Sequence, residues 1–357
     1  MKKIICFSLG RSGGCLKYAK ELLDILAEKE SGFESYVNNS CIVDKPNKST
    51  SIPVYSNKIT FILSTIFILP IYLLILSFRF LIFRDVKTVY FPYFHYWAVP
   101  IIIICRIFCI PTICTVHDGI LHSGDGKPFE QVLNNLYIKL ATKLIFLTHY
   151  VQKLVHKRIQ YNVDSLILPH GIIGLDLGMY TNSKYFKKNI LFFGRVSKYK
   201  GIETLLNAVS LLDANIYEKL IIVGKSQYDV DYSIFPEQSK LVVVDDFVSE
   251  ENVKDYFDIS SILVLPYLEA TQSGVAMLGI ASNTPMVISR CGGLNEQLTD
   301  DEALFFAPDD YLGLSNCITS LLVDEALYQK FYYALGQKSK DESWDVISDK
   351  LMRFIES

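Results

Sequence analysis

Short apolar runs that stop at glycine or a polar turn recur along this chain, with helical patterns between them. Runs at 4–8, 88–91, 112–116, 144–147 and 165–168 read as strands, and helical spacing covers 18–28 and 98–108. Strands without in-out alternation are apolar on both faces, which implies a parallel sheet covered by helices on both sides. After a polar stretch at 181–189 the alternation restarts. Strands are expected at 190–193, 220–223, 241–244, 262–265 and 286–288, and helices at 201–212, 251–257, 274–281 and 311–323. The expected fold class is α/β, with two doubly wound, Rossmann-like domains over residues 1–183 and 184–340 and a terminal helix in 341–357. The 357 residues suit two domains at roughly 100–200 residues each. Ligands of such sheets bind beyond the carboxyl ends of the strands.

Charge divides the chain. Residues 1–188 hold 22 Lys and Arg against 12 Asp and Glu, and the remainder holds 13 against 26. A basic, apolar first half suits an anionic membrane surface or a phosphorylated lipid. Nucleic acid is not expected, because no zinc-finger spacing, basic helix or aromatic-basic RNA motif is present. With half the residues hydrophobic and 20% charged, disorder and coiled coil are excluded. The eight cysteines form no C-x-x-C pair and most sit in apolar runs, as expected of buried reduced thiols.

Two segments imitate targeting signals. Lys2-Lys3 followed by an apolar run, with Ser12-Gly13-Gly14-Cys15 behind it, imitates a signal or lipoprotein peptide, but the apolar core is short and Arg11 interrupts its end. A first strand entering a glycine loop is the preferred reading. Residues 59–78 carry no charge over twenty positions and are followed by Arg79 and Arg84. The segment is long enough to span a bilayer, to lie in its interface, or to form a core helix. We expect the interfacial placement, with Lys58, Arg79, Arg84 and Lys87 facing anionic headgroups. The expected location is the cytoplasm, at the inner face of the cell membrane.

The second half carries the chemical motifs. Gly194-Arg195, then Lys198, Lys200 and Gly201, places cations where a strand ends and a helix begins. Free helix N–H groups and fixed cations together favour an anion. Pro266-Tyr267-Leu268-Glu269 ends the next apolar strand in a carboxylate, and Gln272-Ser273-Gly274 opens a helix with Ser273 as its N-cap. A basic turn or a capped helix explains either piece alone, but not both together.

The block resembles the C-terminal half of family 4 retaining glycosyltransferases, which have the GT-B fold. Their pattern appears as Gly194-Arg195…Lys200-Gly201, Pro266…Glu269…Ser273-Gly274, Pro285-Met286-Val287 and Gly292-Gly293…Glu296. Weaker matches are the Gly13-Gly14 loop, Thr115-Val116-His117-Asp118-Gly119, Pro169-His170-Gly171, and Ser343-Trp344 before a terminal helix. The resemblance implies two domains facing across a cleft, with the last helix crossing back. It implies a nucleotide-sugar donor (UDP-, GDP- or dTDP-linked), a lipid-linked or oligosaccharide acceptor, and no cofactor or metal. Arg195 and Lys200 would hold the donor diphosphate, together with Gly194, Gln272 and the N–H groups of Ser273 and Gly274. Gly13 and Gly14 would admit the phosphates to the first domain. Glu269 would position the donor sugar and His117 would sit beside it, with Asp118 and His95 on the acceptor side. One departure stands out: Met277 occupies the place of a second Glu that contacts the nucleotide ribose in relatives.

Other features are expected to be incidental. Asp229-Val230-Asp231 imitates a metal-binding D-x-D, Asn38-Asn39-Ser40 a glycosylation sequon, and His122, His149 and His156 read as loop or surface residues. His170 ends a strand and could reach a cleft. Three functions compete: a glycosyltransferase of surface polysaccharide assembly, a GT-B nucleotide-sugar epimerase, and a non-catalytic nucleotide-sugar-binding scaffold at the membrane.

Overall fold

A computed structural model describes residues 2–41, 45–47, 49–119, 128–160, 163–172 and 182–357. His122 and Thr181 lie outside them. Contacts divide the chain into two units, Met1–Gly171 with Trp344–Ser357, and Ile172–Ser343.

The first unit is built on a parallel sheet of β1 (Lys3–Ser8), β2 (Phe33–Asn38), β3 (Ser49–Ile52), β4 (Val86–Phe91), β5 (Thr112–Val116), β6 (Lys143–Phe146) and β7 (Asp164–Ile167). Their order is β3-β2-β1-β4-β5-β6-β7, so the winding reverses between β1 and β4. The connections carry α1 (Gly14–Lys29), α2 (Lys58–Ile82), α3 (Ala98–Ile107), α4 (Pro128–Leu140) and α5 (His149–Arg158). The helix expected to start near residue 18 starts at Gly14 instead, so the glycine loop runs directly into its first turn.

A capping box opens α2. Asn57 accepts from the N–H groups of Ile59 and Thr60, and Thr60 Oγ1 accepts from the Asn57 N–H. The helix is bound to its unit along its length. Ser64 donates to the Val54 carbonyl, Trp97 Nε1 donates to Thr65 Oγ1 at 2.9 Å, and Arg79 bridges Glu34 at 2.7 Å and Asp85 at 3.0 Å. Leu69, Leu76 and Phe80 face the core. The opposite face is a stripe of exposed side chains that includes Ile59, Ile62, Ile66, Phe67, Ile71, Leu74 and Phe78.

The second unit repeats the plan with β8 (Ile190–Phe193), β9 (Leu220–Val223), β10 (Leu241–Val244), β11 (Ile262–Leu265), β12 (Met286–Ser289) and β13 (Ala303–Phe306). The order is β10-β9-β8-β11-β12-β13, parallel throughout, with the reversal between β8 and β11. Its helices are α6 (Ile202–Ser210), α7 (Glu250–Asp258), α8 (Gly274–Ala281), α9 (Leu294–Gln297), α10 (Tyr311–Val323) and α11 (Glu325–Asp341). Every side chain of β9, β11 and β12 is buried, as expected for four-residue apolar runs in a covered sheet. The stretch read as a linker contains a 3-10 turn over Asn182–Lys187, where the Tyr185 ring packs on Tyr328.

The last helix, α12 (Trp344–Glu356), packs on α1 in the first unit and buries Ile347, Leu351 and Ile355. Lys29 fastens it through Asp349 at 2.7 Å. All eight cysteines are free thiols; Cys6, Cys105, Cys114 and Cys291 are buried and Cys109 is exposed.

Candidate active site

At the carboxyl ends of β8, β11 and β12, three turns of the second unit meet at the reversal of the strand order, where doubly wound sheets bind ligands. Gly194 leaves β8 with φ 108°, and a Cβ there would lie 3.1 Å from Cγ2 of Val275 in the first turn of α8. Arg195 follows and is exposed. Lys198–Lys200 forms a 3-10 turn closed by Gly201. The Leu268 N–H donates to the Tyr199 carbonyl at 2.8 Å, which ties this turn to the strand end after β11. The Gly293 N–H donates to the Ala270 carbonyl at 2.9 Å, which ties in the turn after β12.

Arg195, Lys200 and the Ser273 turn are therefore brought together. Lys200 Nζ lies 3.4 Å from the centre of the Tyr267 ring, and Tyr267 Oη lies 3.3 Å from Ser273 Oγ. Desolvation and the neighbouring Arg195 charge push the Lys200 pKa down to about 7, with Cys291 opposing them. Among the described residues no carboxylate bonds to Lys200, so the nearby Arg195 charge disfavours its protonated form, and an anion beside them would favour it.

Ser273 caps α8, its Oγ accepting from the Ala276 N–H. Its own N–H is not open to a phosphate, however. It donates to Gln297 Oε1 at 2.6 Å, and Gln297 Nε2 donates back to the Ser273 carbonyl at 3.2 Å. The first-turn donors without an acceptor inside the helix are those of Gly274 and Val275. The sequence hides this clamp, because Gln297 lies 24 residues away. Gln297→Leu is expected to leave two buried backbone groups unpaired and to lower stability by about 1–3 kcal/mol, measured by denaturant unfolding. Gln297→Glu keeps the acceptor for the Ser273 N–H but returns no N–H to the Ser273 carbonyl and buries a carboxylate, so it should destabilise as well, and more as it ionises.

Glu269 is exposed at the rim of these turns, close enough to Cys291 to raise that thiol's pKa, to which burial contributes most. Gln272 Oε1 is buried and has no hydrogen-bond partner among the described residues. Met277 is buried in the core, where a second carboxylate would be unsolvated. Asp231 caps a turn through the Ser233 N–H at 3.0 Å, and among the described residues no three His, Cys, Asp or Glu side chains gather as metal ligands would.

In the first unit, a cavity of about 330 Å³ opens at the carboxyl ends of β1, β4 and β5. Arg11, Cys15, His95, His117, Asp118 and Glu130 line it, while exposed Gly13 and Gly14 sit between its wall residues Ser12 and Cys15. Gly13 is the N-cap of α1, with φ 102°, and neither glycine has anything within 4 Å of an added Cβ.

His117 Nε2 is 2.8 Å from the Pro92 carbonyl, so that nitrogen carries a proton and Nδ1 is the available one. Burial opposes its charged form, but Cys15, the Pro92 carbonyl and Asp118 outweigh it and raise the pKa to about 8. His95 belongs to an aromatic cluster with Tyr55, Phe61 and Trp97; its Nδ1 accepts from the Trp97 N–H, and burial lowers its pKa to about 3. His170 does not line this cavity. It packs against Tyr18 and Trp344, its Nδ1 lies 2.6 Å from the Gly171 carbonyl, and burial lowers its pKa to about 4. Cys15, Tyr96 and Glu130 also line the cavity, with no local motif to mark them, and the Tyr96 hydroxyl donates to Glu130.

Two parallel α/β units of this plan are the GT-B fold. An Anabaena protein, HepE, in complex with UDP and glucose matches over the whole of both chains at TM-score 0.75 and 14% identity. A sucrose-phosphate synthase from Thermosynechococcus elongatus matches over 100% of this chain and 98% of its own at TM-score 0.76 and 16% identity. Residues 187–324 match the family model Glycosyl transferases group 1. An uncharacterized glycosyltransferase of Methanocaldococcus jannaschii is 31% identical over 31% of this chain and 29% of its own. An uncharacterized 41.2 kDa protein in the cps region of Klebsiella pneumoniae is 31% identical over 32% of this chain and 31% of its own. These two alignments span about a third of each relative. The family-model match falls on the segment that carries Gly194-Arg195, Pro266…Glu269 and Gly292-Gly293, the motifs on which the resemblance to the glycosyltransferases rests.

Proposed function

We propose that this protein transfers a sugar from a nucleotide-sugar donor to a lipid-linked glycan acceptor, with retention of anomeric configuration and without a metal, in surface polysaccharide assembly. The observation that carries the reading is the meeting of Arg195, Lys200 and the open first turn of α8 at the switch point of the second sheet. Breaking a sugar–phosphate bond leaves negative charge on the departing diphosphate. Fixed cations and N–H groups stabilise that charge more in the transition state than in the ground state. The Anabaena neighbour holds UDP and glucose, which supports a UDP-sugar as the first donor to test. Glu269 would accept hydrogen bonds from donor-sugar hydroxyls, and His117 would face the transferring sugar. A donor phosphate oxygen would take the acceptor proton.

The acceptor part of the reading rests on α2. Its exposed stripe runs along a 25-residue helix that has no acidic residue and whose most apolar 18-residue window has a mean hydropathy of 2.6. An apolar stripe of that kind suits a helix lying in a membrane interface, where a lipid-borne acceptor resides.

The test is a panel of UDP-, GDP- and dTDP-sugars with polyprenyl-diphosphate-linked acceptors, followed by product NMR for anomeric configuration. Transfer that Glu269→Ala abolishes is the expected outcome. Conversion of the free nucleotide sugar itself would make the protein an epimerase. Donor binding without turnover would make it a scaffold.

A further inference from the structure

A second cavity, of about 490 Å³, opens at the other end of the first sheet. It lies where the strands begin: Lys2 precedes β1, Val86 and Lys87 begin β4, and Pro111 precedes β5. The ends of α2 and α3 flank it. Phe80 and Val86 are buried beneath it, and three cations line it: Lys2, Arg84 and Lys87. No carboxylate lines it, and none of the three cations makes an ion pair or hydrogen bond among the described residues. Their neighbours differ: Lys3 pairs with Glu34, and Arg79 with Glu34 and Asp85.

Cations near helix carboxyl ends have an ordinary explanation, since each end carries about half a negative charge. Two ends offset about one of the three positive charges, so about two remain. The rim is apolar as well. Leu81, Ile82, Phe83 and Ile107 are exposed there and continue the stripe of α2. A soluble anion would leave those side chains in water. A lipid would cover them.

We propose that this cavity seats the phosphate of an anionic phospholipid whose acyl chains follow the exposed face of α2 and the end of α3. The seat fixes how the helix lies in the membrane plane. The amino end of α2 packs, through Phe61, on His95 in the wall of the other cavity, so one orientation sets the height of that cavity's mouth above the bilayer. The proposal rests on α2 lying on a membrane.

The test uses the full chain and sedimentation with vesicles of phosphatidylcholine alone or mixed with phosphatidylglycerol. The unsubstituted protein should bind neutral vesicles weakly and phosphatidylglycerol vesicles more tightly. R84Q/K87Q should cut only the anionic preference, by about thirtyfold. The charge-matched pair K153Q/K157Q, exposed on α5, should leave it unchanged. F67S/L74S should weaken binding to both vesicles, and inorganic phosphate alone should not shift the melting temperature. An equal loss in the α5 pair would overturn the proposal in favour of diffuse charge. Stabilisation by inorganic phosphate would overturn it in favour of a soluble ligand, and lipid-free self-association lost in F67S/L74S in favour of a second copy. Binding to neither vesicle would refute the membrane reading itself, while equal binding to both would refute only the headgroup seat.

Discussion

Lys200→Met is expected to lower kcat/KM for the sugar donor by about 10²–10³-fold while raising thermal stability. The two effects share one cause. The Lys200 amine sits over the Tyr267 ring with Arg195 nearby, and burial followed by that charge lowers its pKa from 10.5 to about 7. Between those values the unfolded chain holds a proton that the native protein lacks. The group's contribution to stability therefore rises with pH across that window and is unfavourable below it. Methionine keeps much of the volume on the ring and removes the charge. A bound diphosphate does the reverse, since it restores the protonated amine. Donor binding should then take up a proton above pH 7 and weaken as the pH rises. Calorimetry in two buffers of different ionisation heat would measure that proton, and Lys200→Met should abolish it. A variant that melts lower and turns over normally would mean that Lys200 is a packing residue.

The same contrast between packing and chemistry explains what the sequence made legible. The strands 190–193, 220–223, 241–244 and 262–265 were readable to the residue, because each is an apolar run cut off by glycine, proline or a polar turn; 241–244 keeps that signature although it is an edge strand with no buried side chain. Strands β2, β3 and β13 were not. β3 has one buried side chain of four, β2 mixes Glu34, Ser35 and Asn38 into its run, and β13 lies at the far edge of the second sheet. At β3 and β13 a neighbour on one side only lowers the need for apolar surface, and in β2 the polar residues break the apolar run, so these patterns fade into those of loops. Helix α11 was missed for another reason: its buried Tyr328, Phe331, Tyr332 and Leu335 are interleaved with lysines and glutamines. In the site, Arg195, Lys200 and the Ser273 cap were visible as local motifs. The Gln297 clamp and the Tyr267 ring beneath Lys200 were not, because each is a tertiary relation. By motif Met277 marks a missing ligand, whereas in the structure it is part of the core on which α8 rests.

Two glycines allow that distinction to be tested directly. Gly201 holds φ 67°, and a Cβ there would lie 1.9 Å from the Pro266 carbonyl oxygen. Gly201→Ala must push the Lys198–Lys200 turn away from the end of β11 and stretch the Leu268–Tyr199 hydrogen bond, which is 2.8 Å. Left-handed strain and the backbone clash together should lower stability by about 2–4 kcal/mol and remove activity with it. Gly14 is the opposite case. It begins α1, nothing lies within 4 Å of its added Cβ, and alanine favours a helix over glycine. If that surface is open because donor phosphates approach the backbone there, Gly14→Ala should melt no lower than the unsubstituted protein and yet raise the donor KM, by about tenfold for one obstructed charged hydrogen bond. Denaturant midpoints and donor KM, measured on both variants, decide the matter. An unchanged KM in Gly14→Ala would remove the α1 loop from the donor site and leave the diphosphate to the turns around Lys200 alone.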